Sequence, residues 1–65
     1  MNKNNGKVIY NNGDVAWWKN GKLHREDGPA VIRFDEYKSW WINGQFINCK
    51  SQEEFERLLK LKAFL

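Results

Sequence analysis

Apolar and polar positions change period once along this 65-residue chain. From Lys7 to Ile47 the apolar residues come in short alternating runs, cut by Asn-Gly, Asp-Glu and Gly-Pro pairs. That is the pattern of brief strands joined by tight turns. It predicts strands over Lys7–Tyr10, Asp14–Lys19, Lys22–His24, Ala30–Phe34, Tyr37–Ile42 and Gln45–Ile47. In the second of these, Val15 and Trp17 belong to one face and Ala16 and Trp18 to the other. After Ser51 the period becomes helical, with Phe55, Leu58, Leu59 and Lys62 in step. Ser51 and Glu54 form a capping box, and Glu53–Arg57 and Glu56–Lys60 are i,i+4 pairs in the favourable order. The helix is expected to lay Phe55, Leu58, Leu59 and Leu61 on one face of the sheet.

Asn20-Gly21 after two tryptophans is a strong hairpin signal, because both central residues of a type I′ turn need positive φ. The whole stretch recurs. Trp17-Trp18-Lys19-Asn20-Gly21-Lys22-Leu23 meets Trp40-Trp41-Ile42-Asn43-Gly44-Gln45-Phe46 at an offset of 23 positions, and Val8-Ile9 meets Val31-Ile32 at the same offset. The chain therefore reads as one domain: a flexible terminus over residues 1–6, a first repeat over 7–28, a second over 29–50 and a capping helix over 51–62. The expected fold class is mainly β with one C-terminal helix, an antiparallel meander of about six short strands in two 23-residue repeats.

A core this small rarely supplies more than about 3–5 kcal/mol without a staple. Cys49 is the only cysteine, so no disulfide forms within the chain. With no signal-peptide pattern, a lone cysteine suits a reducing cytoplasm. No apolar run approaches the ~20 residues of a membrane helix, so no membrane partner is expected. Aromatic residues make up 15% of the chain and are the compensation, because large rings bury much area at small rotamer cost. The net charge of +3 is spread among eight acidic residues, which is sparse for a dedicated nucleic-acid binder.

From Trp17 to Ala30 the fourteen residues Trp-Trp-Lys-Asn-Gly-Lys-Leu-His-Arg-Glu-Asp-Gly-Pro-Ala resemble a known repeat. They are similar to the W-x-x-N-G-K-x-H-R-x-D-G-P-A repeats of small tailed-phage and giant-virus proteins, which are akin to MORN-type β-hairpin repeats. The resemblance spans Val8 to Ile47, and the final helix resembles the one that closes short phage members. The second repeat lacks the His-Arg-x-Asp-Gly-Pro corner, as befits a terminal unit. The resemblance implies a phage-encoded accessory protein and an interaction scaffold; it implies no activity.

His24, Glu26 and Asp27 form the one cluster with metal-ligating or acid–base side chains, but a metal needs three or four ligands in defined geometry. The plainer reading makes Asn20, Gly21, His24, Arg25, Asp27, Gly28 and Pro29 a structural motif, with Asp27 capping its turn and Arg25 or His24 bridging to it or to a carbonyl. Cys49 would need a neighbouring base to act as a nucleophile, and His24 is the sole histidine. No phosphate loop, paired catalytic carboxylates or Ser-His-Asp set can be assembled, so no enzyme activity, cofactor or metal is expected.

The binding candidates are Trp17, Trp18, Trp40 and Trp41, with Lys19 and Arg33 among them. The expected function is a protein-interaction module that binds or inhibits a bacterial host protein in the host cytoplasm. The alternative is a single-stranded nucleic-acid or nucleotide binder that stacks bases on the tryptophans. Open sheet edges and the apolar Ala63-Phe64-Leu65 also suggest a homodimer.

Overall fold

A computed structural model of the protein describes residues 5–61. It contains six strands and a helix: β1 (Gly6–Ile9), β2 (Val15–Lys19), β3 (Lys22–Leu23), β4 (Val31–Ile32), β5 (Lys38–Ile42), β6 (Gln45–Ile47) and α1 (Gln52–Leu61). Every strand pairing is antiparallel. The fold is thus mainly β with one C-terminal helix, as the patterning predicts. Lys62, the Ala63-Phe64-Leu65 tail and the first four residues lie outside the described part.

The turns follow from local chemistry. Asn20 and Gly21 have φ of 52° and 79°, and Asn43 and Gly44 have 50° and 81°, so both hairpins close on type I′ turns. The longer turns of the two halves also match bond for bond. Tyr10 N donates to Asp14 O, Gly13 N to Tyr10 O and Asp14 N to Asn12 Oδ1. Twenty-three positions on, Arg33 N donates to Tyr37 O, Glu36 N to Arg33 O and Tyr37 N to Asp35 Oδ1. Where the first turn has Gly13 at φ 97°, the second holds Glu36 at φ 71°. A side chain in that region crowds its own carbonyl. Glu36→Gly is therefore expected to raise stability by about 0.5–1 kcal/mol, net of glycine's extra chain entropy, seen as a higher urea midpoint.

Several strand ends differ from the sequence reading by one residue, and two departures have a clear local cause. The strand expected over Ala30–Phe34 shrinks to Val31–Ile32, because Arg33 enters the turn and Phe34 N is drawn to Asp14 Oδ1 at 2.8 Å. The flexible terminus expected over residues 1–6 fails at its end: Gly6 pairs with Trp18, and Asn5 Oδ1 accepts from Asn20 N.

The connectivity also departs from a simple meander. Trp17 accepts from His24 N through its carbonyl and donates to Ala30 O through its N–H, at 3.0 and 2.8 Å. Both backbone groups of one residue in an antiparallel strand point to the same edge. So β3 and β4 lie end to end along β2 and do not pair with each other. The cause is the corner between them: Pro29 has no N–H to give, and the chain leaves the sheet after Arg25 to rejoin it at Ala30. Beyond β4 the sheet continues through β5 to β6. The second unit also grips the first directly, with Gly44 N donating to Leu23 O and Arg25 N to Trp41 O.

The helix begins as a modified capping box. Ser51 Oγ accepts from Glu54 N at 3.2 Å, while Glu54 Oε1 reaches Lys50 N at 2.7 Å, one residue before the usual target. Glu53 and Arg57 pair at 3.7 Å, but Glu56 turns instead to the Gln52 amide. The buried core joins Phe55 to Trp40, Ile42 and Ile47, with Leu58, Leu59 and Cys49 packed around it. Leu61, expected on the sheet, is 69% exposed, so the apolar stripe ends at Leu59.

Candidate interaction surface

Cross-strand partners share a face of the sheet, so the pairings sort the tryptophans. Val15 stands opposite Ile32, and Ile32 opposite Lys38; two residues on, Trp17 and Trp40 share that side. Ala16, Val31 and Ser39 define the other side, and Trp18 and Trp41 follow them there. One tryptophan of each pair thus faces the helix side and one faces away.

On the helix side both indoles carry contacts within the fold, and Trp40 is buried. Trp40 is 6% exposed, lies 6.3 Å from the Phe55 ring and donates Nε1–H to Gln52 Oε1 at 2.7 Å. Naming Trp40 as a binding residue is therefore corrected: it is core. Gln52 also donates to Glu26 O, which ties the helix to the first repeat's corner. Trp17 lies under the Arg25 guanidinium, 3.8 Å from the ring centroid, with Lys7 Nζ at 5.8 Å. It too serves the fold, through cation–π contact. Lys19 shares the Trp17 side by alternation and so does not flank the outward face; Arg33 is exposed beside the turn after β4.

Arg25 organises the corner. Its Nε donates to Asp27 Oδ1 at 3.0 Å and its Nη1 to Pro29 O at 3.2 Å. A Cβ on Gly28 would sit 2.6 Å from the Arg25 guanidinium carbon, so a side chain here would push the guanidinium from its present position. The hydrogen bond and charge of Arg25 hold the Asp27 carboxyl below its ordinary value. His24 Nδ1 accepts from Asn43 N at 3.0 Å, which leaves the proton on Nε2 for Glu26 at 3.2 Å. In the first unit Asn20 N finds Asn5 Oδ1 in the same role. These bonds account for the corner as a brace between units.

The outward face has a different character. Trp18 donates to Tyr10 OH at 3.2 Å, and Trp41 donates to Ser39 Oγ at 3.0 Å. Trp41 and Phe46 meet edge to face at 5.5 Å. Tyr10 and Phe46 are exposed and both tryptophans half-buried, around a floor of small buried residues, Ala16 and Ser39. The helix packs on the opposite side, and among the described residues no other element covers these rings. Tyr10 and Phe46 escaped the sequence reading, although Phe46 is the register partner of Trp41 across the Asn43-Gly44 turn.

The remaining reactive groups are quiet. Partial burial, and then the Glu54 carboxylate, push the Cys49 thiol up, so it stays protonated and is a poor nucleophile. Both ring nitrogens of His24 are engaged. Among the described residues no group of three or more His, Cys, Asp or Glu side chains could hold a metal, and no helix is long and apolar enough to cross a membrane. Comparison with family models, with curated proteins and with solved structures finds no match to this chain.

Proposed function

We propose that this protein is a non-enzymatic interaction module that binds another protein through its outward aromatic face. The observation that carries this reading is the grouping of Trp18, Trp41, Tyr10 and Phe46 on a side that no described element covers. Half-exposed aromatic rings with polar tips over a rigid sheet have the character of binding anchors. The likeness of the Trp17–Ala30 corner to phage repeats supports an accessory role in a bacterial host's cytoplasm, with a host protein as the partner.

The test is affinity capture with the full chain and two variants as baits. Trp18→Ala and Tyr10→Ala are each expected to lower affinity for the captured partner at least tenfold, about 1.4 kcal/mol, while melting remains cooperative. A partner held equally by all three baits would place binding elsewhere. Tryptophan quenching by an oligonucleotide, weakening as salt rises, would favour base stacking instead.

A further inference from the structure

The two repeats differ at one sheet edge. Along β2, the edge that carries β3 at Trp18 and Lys19 is continued by β4 at Val15 and Ala16. Along β5, the matching edge carries β6 from Trp40 to Ile42 and then stops. At Lys38 and Ser39 the inner edge is held by β4, and among the described residues no strand lies on the outer one. A third repeat would supply that strand, but 23 positions after Ala30–Ile32 the chain is already in α1. A cleft of about 420 Å³ opens at this place, bordered by Tyr37, Lys38, Ser39, Trp40, Phe46 and Asn48.

Backbone direction makes the edge receptive. Trp41 gives its carbonyl to Arg25 on the inner side, so Lys38, three residues and hence an odd number of alternations away, points its N–H and C=O outward. We propose that this gap is a strand-docking site. It takes a short extended segment of a partner protein, antiparallel to β5, as β4 already docks on β2. The internal joint defines the chemistry of the occupant. Val31 lies beside Ala16 and Ile32 beside Val15; in the gap Ser39 replaces Ala16 and Lys38 replaces Val15. The occupant therefore carries a β-branched pair, one residue over the small Ser39 and the next along the aliphatic stem of Lys38. Its main chain gives the binding and its alternate side chains the selectivity. The choice of a peptide as ligand rests on the interaction-module reading, but the site is a sheet edge distinct from Trp18 and Tyr10.

The probe is a synthetic peptide copying Asp27–Arg33, capped at both ends and titrated into the isotope-labelled full chain. The amides of Lys38 and Ser39 are expected to shift, with saturation in the millimolar range or below. In the internal joint Ile32 directs its N–H toward β2, whereas Val31 directs its own toward β5. N-methylation at the isoleucine is thus expected to weaken binding at least tenfold, and N-methylation at the valine to change it by less than about threefold. No shift at Lys38 and Ser39 at millimolar peptide, or equal binding of the two methylated peptides, would overturn the site. If that happened while capture still depended on Trp18, the outward-face reading would stand. Peptide binding at Lys38 alongside capture indifferent to Trp18 would keep the docking edge and remove the aromatic face as the binding surface.

Discussion

Phe55→Ala is expected to leave the chain largely unfolded at room temperature. Phe55 is the one large side chain that is fully buried among the described residues, and the rest of the helix-side core packs round it. Removing such a ring from a close-packed interior costs about 3–5 kcal/mol, transfer and cavity together. A domain of this size has about that much stability in total. Circular dichroism should show loss of the cooperative melt, and the emission of Trp40, released from Phe55 and Gln52, should move to the red. Phe55→Leu keeps most of the volume and should fold. A Phe55→Ala protein that melted within a few degrees of the parent would mean that the sheet stands without its helix.

Arg25→Ala is the second large effect expected, about 2–3 kcal/mol. The guanidinium stacks on Trp17, which is worth about 0.5–2 kcal/mol depending on how dry the contact is. It also holds the Pro29 carbonyl, and hydrogen bonds to charged groups contribute about 1.5–3 kcal/mol before screening at this partly exposed site. Lysine is no substitute, since a point charge lacks the planar fork that serves ring, carboxylate and carbonyl together. The Asp27 part has a pH signature. Its carboxyl lies below the ordinary value of 3.8 in the folded chain, so its contribution is present above that value and fades as pH falls through the lowered one. Urea midpoints of parent and Arg25→Ala should therefore draw closer in acid without meeting, because the stack and the Pro29 bond do not titrate. A gap unchanged across that range would show Asp27 to be a bystander.

The strands and hairpins were legible because their causes are local: Asn-Gly at a type I′ turn, alternation on either side, and a serine three residues before a glutamate at the helix start. What the tryptophans do was only half legible. Alternation says that Trp17 and Trp18 face opposite ways, but not which faces inward. That is decided by Arg25, eight residues after Trp17, and by Gln52, twelve after Trp40. Neither contact leaves a trace in hydrophobic periodicity. The docking of β4 beside β2 is likewise non-local, since the break at Gly28-Pro29 shows where a strand ends and not where the next one lands. Glu36 hid its left-handed backbone behind an ordinary side chain; its alignment with Gly13 carried that information. The outward face was only partly legible because Tyr10 and Phe46, the rings that complete it, stand apart from the paired tryptophans in sequence.

The grip between the repeats bears on how the molecule comes apart. In a stacked array, each unit has an intrinsic stability and a coupling to its neighbour, and independent melting requires the coupling to be the smaller term. Here neither half is self-sufficient. β4 is shared, with β2 on one flank and β5 on the other, and the His24 ring holds the backbone of the second hairpin. Gln52 reaches from the helix across to Glu26. Opening either half strips partners from the other, so the described chain behaves thermodynamically as one all-or-none element despite its duplicated sequence. Slow hydrogen exchange would accordingly be shared between Ala16 and Ser39 instead of ranking one repeat above the other.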